Sequence, residues 1–209
     1  MRTQNNTLIL AALIAMTVPA SAASTKLEVM TVDPGAVVCV FSPKCSITPA
    51  DTMGTFPPDS AYTGAERLQS RTYVGLAGSK GAGTTAFIYR IDFTHAVRSL
   101  KDMHCADSVD IEFGPVAKLP YGPKNATADL FVINSGGTNF VGVKSAEQKK
   151  NTVTIEFASP VCPASGAYPG LSTFFFGMAS AKPPKLDLVT VSFAFGGRDQ
   201  QVPARIPAL

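Results

Sequence analysis

The residues best suited to chemistry form a short acidic segment after a histidine and a cysteine. Asp107, Asp110 and Glu112 follow His104 and Cys105 closely in the sequence. Alternate residues of a β-strand share a face, so the carboxylates of Asp110 and Glu112 would lie about 6–7 Å apart. A carboxylate pair at that separation, with a histidine, could supply the general acid and base of a hydrolase.

Two other interpretations of the same acids stay open. Asp107, Asp110 and Glu112 could hold a calcium ion if loop carbonyl oxygens completed the shell. The simpler interpretation is a solvated strand face whose carboxylates pair with a basic residue on a neighbouring strand, such as Arg90. The two histidines, His95 and His104, are too few to predict a metal site by themselves, although one histidine suffices for a general base.

Three tyrosines are candidates for binding. Tyr121 lies within Pro120–Pro123, Tyr168 comes directly before Pro169, and Tyr62 lies in a long proline-rich segment. A tyrosine on a rigid loop can stack on a sugar ring or fill a pocket in a protein partner. The absence of tryptophan weakens the sugar interpretation, and the simpler alternative is that these rings pack onto their own loops.

Several function classes are excluded by motif and charge. The glycine-rich segment Gly75–Thr85 has the composition of a phosphate loop, but Lys80 precedes Gly81 rather than following it, so a hairpin connection is predicted. The chain has no Gly-x-Ser-x-Gly motif of an α/β-hydrolase. Its net charge of +3 is too small and too scattered for nucleic-acid binding. We therefore expect an extracellular protein or polysaccharide as the partner.

The first 22 residues have the features of a secretory signal peptide. Arg2 is followed by the apolar stretch Leu8–Val18 and by Ala20-Ser21-Ala22, a small-x-small cleavage site. The apolar stretch is shorter than the roughly 20 residues that span a bilayer. Residues 1–22 are therefore predicted to be removed, which leaves residues 23–209 as one secreted or periplasmic domain with no membrane span.

Four cysteines in an oxidising compartment are expected to pair. The short spacing of Cys39 and Cys45 favours a local bridge, which leaves Cys105 to pair with Cys162. The other two pairings stay open, because Cys45 and Cys162 share a Ser-Pro-x-Cys context that could place them at equivalent sheet ends.

Four segments alternate between apolar and polar residues, which is typical of strands buried on one face. In Ser108–Phe113, Val109 and Ile111 would face the core while Asp110 and Glu112 face the solvent. The segments with this pattern are Thr85–Phe93, Ser108–Phe113, Thr152–Phe157 and Asp187–Phe195.

Further strands are predicted with weaker patterns. Asp129–Ile133 and Thr173–Met178 are apolar on both faces, as central strands are. Asn139–Val143 would return from a hairpin turn at Gly136-Gly137 to pair with Asp129–Ile133. The remaining candidate strands are Lys26–Thr31, Ala36–Phe41 and Thr72–Leu76.

These elements predict an all-β fold, a two-sheet antiparallel β-sandwich of the jelly-roll or immunoglobulin-like kind, with a closed barrel as the alternative. At most one or two short helices are expected, at His95–Met103 and Gly64–Ser70. Residues 42–71 are predicted to be a long proline-rich loop.

The sequence therefore favours a secreted, non-enzymatic binding or structural protein that recognises its partner through end loops. A secreted hydrolase that uses Asp110 or Glu112 with a histidine is the first alternative. The second is an assembly subunit that donates a strand to a partner, with Lys26–Thr31 as the mobile strand.

Overall fold

The computed structural model describes residues 23–57, 62–98, 104–195 and 197–209. The predicted signal peptide, residues 1–22, lies outside this part of the chain. Within it, the chain forms fourteen strands and one α-helix. The helix is α1 (Pro34–Phe41), and the strands are β1 (Thr25–Lys26), β2 (Val29–Val32), β3 (Ala50–Thr55), β4 (Tyr62–Val74), β5 (Thr85–Arg98), β6 (Cys105–Glu112), β7 (Leu130–Ile133), β8 (Phe140–Val141), β9 (Val143–Lys149), β10 (Thr152–Val161), β11 (Ser172–Thr173), β12 (Phe175–Ser180), β13 (Pro184–Ala194) and β14 (Gln200–Pro207).

The strands form two sheets that enclose the main core, so the predicted all-β, sandwich-like fold is confirmed. One sheet has six strands in the order β1-β9-β10-β6-β13-β14. The other has eight, and it curls into a half-barrel: β2-β7-β12-β5-β11-β8, with β4 also paired to β5 and β3 to β4. Most pairs are antiparallel, while β2 pairs with β7, and β8 with β11, in parallel.

Strict alternation in the sequence predicts β6, β10 and most of β13 correctly, because one face of each strand is buried and the other meets solvent. In β6, Val109 and Ile111 are buried and Glu112 is exposed. In β5, Phe87 and Ile91 point into the main core, as predicted from the alternation.

The two sheets are joined on one side by β14, which lies against β3 and β4. The Arg205 amide donates a hydrogen bond of 2.9 Å to the Ser70 hydroxyl, and the Tyr89 hydroxyl donates one of 2.8 Å to the Arg205 carbonyl. On the other side, the amino-terminal segment passes from sheet to sheet: β1 pairs with β9 of the six-stranded sheet, and β2 pairs with β7 of the eight-stranded sheet. One open side of the sandwich is therefore bridged by hydrogen bonds to Arg205, and the other by the amino-terminal segment itself.

The predicted strand Ala36–Phe41 is wrong, because this segment belongs to helix α1. Pro34 occupies the first turn, where its fixed φ suits a helix. Val37, Val40 and Phe41 are buried at helical spacing, and they pack on a second core cluster outside the eight-stranded sheet. A short apolar run has no periodicity that separates a buried strand from a buried helix, which explains the error.

The predicted long loop over residues 42–71 is also wrong. Most of it forms the hairpin of β3 and β4, and the segment Gly64–Ser70, predicted as a helix, is part of β4. The inward face of β4 carries the buried polar residues Ser70 and Thr72, so the apolar alternation that marks a strand is missing.

Two further expectations fail in the structure. His95–Arg98, predicted to begin a helix, are the last residues of β5, and residues 99–103 lie outside the described residues. The hairpin between Asp129–Ile133 and Asn139–Val143 does not form, because both edges of β7 are occupied by β2 and β12. Strand β8 instead pairs with β11.

Candidate functional site

The acidic residues of β6 lie on the outer face of the six-stranded sheet. Asp110 accepts a 2.6 Å hydrogen bond from the Thr154 hydroxyl, and Glu112 accepts one from the Thr152 hydroxyl. Asp107 is exposed at a register irregularity of the strand. The expected pairing with Arg90 is wrong: that side chain lies on the other sheet, 3.2 Å from Asp92.

His104 is not brought to these carboxylates. It precedes β6, and the six residues from His104 to Asp110 span about 20 Å of extended chain. Its ring packs edge-on against Phe193 at 6.4 Å. His95 lies on β5 of the other sheet, where it pairs with Ala65. The geometry therefore gives the hydrolase hypothesis no support.

The calcium hypothesis gains no support either. In the described part of the chain, no group of three His, Cys, Asp or Glu side chains is arranged to hold a metal ion. The carboxylates of Asp110 and Glu112 are instead bonded to threonine hydroxyls of β10.

Tyr121 is a core residue in the structure. Its ring centroid lies 4.7 Å from that of Phe131 and 6.4 Å from that of Phe41, beneath helix α1. Only 3% of the residue is exposed, and its hydroxyl has no hydrogen-bond partner among the described residues. Burial, with a smaller contribution from the charge of Asp129, raises the pKa of Tyr121. The ring is therefore packed in the core rather than presented on its loop, although the residue also lines a pocket beside Asp33 and Asn134.

Of the two predicted tyrosines whose side chains the structure describes, Tyr168 faces the solvent, with 78% of the residue exposed. It lies at an end of the two sheets, on the loop between β10 and β11. Tyr62 begins β4 and pairs through its backbone with Arg98 at the same end. The side chain of Tyr62 lies outside the described residues.

The loop that carries Tyr168 is fixed by backbone hydrogen bonds along its length. Ser165 and Tyr168 exchange bonds of 2.9 and 3.0 Å, and the Leu171 amide bonds the Cys162 carbonyl at 2.8 Å. Ala164 is bonded to strand β5 in both directions, from its amide to Ala96 and from the Arg98 amide to its carbonyl. Tyr168 is thus presented on a backbone that is already ordered.

A disulfide ties the start of this loop to strand β6, the neighbour of β10 in the six-stranded sheet. Cys162 is bonded to Cys105, the first residue of β6, and Cys39 is bonded to Cys45, so the structure has the favoured pairing. Disulfides of this kind are typical of proteins in oxidising extracellular or periplasmic compartments. Within the described residues, no helix is both long and apolar enough to cross a membrane.

A groove of about 460 Å³ runs beside Tyr168. Pro163, Pro169 and Leu171 supply apolar lining, and Arg98 and Asn139 supply polar groups. A cavity of this size falls within the range of ligand sites in proteins.

Two more apolar side chains are exposed around the same disulfide. Val97, which is 53% exposed, bridges to Ala164 of the Tyr168 loop. Phe195, which is 66% exposed, follows Ala194, the residue paired with Cys105. We call this group the loop-end surface, and its members are Val97, Arg98, Asn139, Pro163, Tyr168, Pro169, Leu171 and Phe195.

Sequence reasoning identified only Tyr168 of this surface, from its proline and glycine neighbours. Phe195 continues the inward alternation of β13, so its pattern predicts a core residue. Its left-handed φ of 60° turns the chain there and leaves the ring in solvent. Nothing in the sequence marks Val97 or Arg98 as surface neighbours of Tyr168, because their proximity depends on the bridge to Ala164.

No family model, curated protein or solved structure matches this chain.

Proposed function

We propose that the protein is a secreted, non-enzymatic β-sandwich that recognises an extracellular protein through the loop-end surface. The amino-terminal segment has the features of an export signal, and two disulfides suit a domain that works outside the cytoplasm.

The observation that carries the proposal is the exposure of Tyr168 on a fixed loop. Tyrosine is among the residues that contribute most to binding energy at protein interfaces. The loop is already ordered by its hydrogen bonds and by the Cys105–Cys162 bridge. Little conformational entropy is then lost on binding, which favours affinity.

The extent of the surface supports contact with a macromolecule. Val97 bridges to Ala164 of the Tyr168 loop, Phe195 follows the residue paired with Cys105, and both are more than half exposed. Exposed apolar side chains grouped at one place are typical of interaction sites, whereas isolated ones are common everywhere.

The chemistry of the groove favours a protein over a polysaccharide. A sugar polymer needs many hydrogen-bonding groups, and this lining offers few, including Arg98, Asn139 and Ser165. Pro163, Pro169 and Leu171 suit an apolar side chain of a protein partner.

Photo-crosslinking in the native host tests this proposal. A benzophenone amino acid replaces Tyr168 in the full chain, and irradiated cells are probed for covalent adducts. The matched control carries the same amino acid at Leu188, which is 49% exposed on β13. We expect a discrete protein adduct at position 168 that is absent at position 188.

Equal adducts at both positions, or none at 168, would contradict the proposal. A glycan array run with Tyr168→Ala as control distinguishes the polysaccharide outcome. Glycan binding that depends on Tyr168 would show that the partner is a sugar polymer instead.

The strand-donating alternative stays a prediction without added support. The segment Lys26–Thr31 lies on its own chain, where β1 pairs with β9 and β2 with β7. Leu27 within this segment is buried in the main core, and Val32 directly after it is buried in the second core cluster.

A further inference from the structure

We infer that the groove beside Tyr168, here called the loop-end groove, binds a peptide segment in which an apolar side chain lies next to a carboxylate. This inference rests on the proposed function, and it specifies the chemistry of the partner.

The first part of the inference comes from the apolar lining. Pro163 is buried and Leu171 half-buried, while Pro169 and Tyr168 are exposed. The groove, at about 460 Å³, has room for a leucine-sized or phenylalanine-sized side chain with its backbone. Both prolines have fixed φ angles, so the lining is shaped before a ligand arrives.

The second part comes from the charge of the groove. Arg98 lines it, and none of the described lining residues is acidic. The Arg98 backbone is held by its 2.8 Å bond to the Ala164 carbonyl, so the guanidinium starts from a fixed point at the rim. A guanidinium recognises a carboxylate through two parallel hydrogen bonds, which makes an acidic group the complementary ligand.

The third part is the position of Asn139. This residue is exposed, and its carbonyl is held by the Ser172 amide at 3.0 Å. Its side-chain amide carries both a donor and an acceptor, as the backbone of a bound peptide does. Apolar lining, one cation and one amide together match a short acidic and apolar peptide better than a uniformly polar polymer.

Three blocked synthetic peptides serve as probes: one that alternates Asp and Leu, one that alternates Lys and Leu, and one that alternates Asp and Ser. Binding to residues 23–209, with both disulfides formed, is measured by amide chemical shifts. The Asp-Leu peptide is expected to shift Arg98, Tyr168 and Leu171. It should bind about tenfold more tightly than the Lys-Leu peptide, which cannot form the charge-assisted hydrogen bond with Arg98. It should also bind more tightly than the Asp-Ser peptide, which has no apolar side chain to bury in the groove.

Variants of the protein assign the two contributions. Arg98→Glu is expected to reverse the preference toward the Lys-Leu peptide, and Arg98→Gln to remove the preference. Tyr168→Ala should weaken binding of every apolar peptide. Lys80→Glu, at the opposite end of the molecule beside Asn125, is the charge-reversal control and should change nothing.

The outcomes separate this inference from the proposed function. Three results would overturn the inference that the partner is acidic. They are equal binding of the Asp-Leu and Lys-Leu peptides, no binding of the Asp-Leu peptide, and an unchanged preference in Arg98→Glu. A Tyr168-specific crosslink in the host would then still support the proposed function. If Tyr168→Ala also leaves peptide binding unchanged and position 168 forms no specific crosslink, both fail.

Discussion

The Tyr89 hydroxyl and the Arg205 backbone carbonyl form a 2.8 Å hydrogen bond between the two sheets, on the side where β14 lies against β3 and β4. We call this side the seam. The two residues are 116 positions apart in sequence, and Tyr89 is 1% exposed. Beneath helix α1, by contrast, the buried hydroxyl of Tyr121 has no partner among the described residues. The same chemical group therefore makes opposite contributions to stability at these two positions.

Tyr89→Phe is expected to destabilise the fold. The change removes the seam hydrogen bond and leaves the Arg205 carbonyl without this donor, so the free energy of unfolding should fall by about 1–2 kcal/mol. Urea unfolding followed by circular dichroism measures the change. A variant as stable as the parent would show that the seam does not depend on this bond.

Tyr121→Phe is expected to have the opposite effect. A buried hydroxyl without a partner carries a desolvation cost, and its removal should raise the free energy of unfolding by about 1–3 kcal/mol. The ring contacts with Phe131 and Phe41 are retained in this variant. A loss of stability in the same urea experiment would indicate that the hydroxyl has an unrecognised partner.

The pH dependence of stability follows from the same two tyrosines. Burial raises the pKa of Tyr89 and of Tyr121, whereas the tyrosines of an unfolded chain lose their protons at about pH 10. Above that pH the folded state holds more protons than the unfolded state, so the free energy of unfolding should fall as the pH rises. Tyr121→Phe should show a shallower decline between about pH 9 and about pH 11. An identical slope in the variant would contradict the raised pKa of Tyr121.

The sequence predicts those strands that have one solvent-exposed face and one buried face, because their residues then alternate between polar and apolar. Strands β6 and β10 alternate cleanly, since the buried Val109 and Ile155 have solvated neighbours. Most of strand β4, the part before Thr72, is not predicted because its inward Ser70 is satisfied by the Arg205 amide, a partner 135 residues away. Such long-range satisfaction of a buried polar group leaves no local signal.

The candidate site was predicted only in part, for a related reason. Tyr168 could be found because the adjacent Pro169-Gly170 indicates a rigid turn. Asp110 and Glu112 are candidates for catalysis or calcium binding from the sequence, yet in the structure each carboxylate accepts a hydrogen bond from a threonine of β10. The cross-strand partners of a residue depend on the order of the strands in the sheet. The alternation of apolar and polar residues does not predict that order.

The two disulfides are expected to differ in their contribution to stability. Cys105 and Cys162 are 57 residues apart, whereas Cys39 and Cys45 are only 6 apart. In the chain-entropy account, the longer loop stabilises by about 4 kcal/mol and the shorter by about 2 kcal/mol. The double variants C105A/C162A and C39A/C45A, compared by urea unfolding, test the ranking. Equal losses, or a larger loss in C39A/C45A, would contradict it.

Gly54→Ala is expected to separate β3 from β14. A Cβ at this position would lie 2.2 Å from the Pro203 carbonyl oxygen and 2.8 Å from a Val202 methyl carbon. The carbonyl belongs to the backbone and cannot rotate away, so the strands must move apart, at a cost of about 1–3 kcal/mol. Hydrogen exchange should show the loss as faster exchange in β14.

Gly35→Ala is the matched control for this change. Gly35 lies in α1, and a Cβ there meets nothing within 4 Å. Alanine reduces the freedom of the unfolded chain and suits a helix, so the free energy of unfolding should rise by about 0.4–1 kcal/mol. If Gly54→Ala were as well tolerated as Gly35→Ala, the close packing of β3 on Pro203 would be wrong. The closed side of the sandwich would then depend mainly on the hydrogen bonds of Arg205 to Tyr89, Ser70 and Thr52.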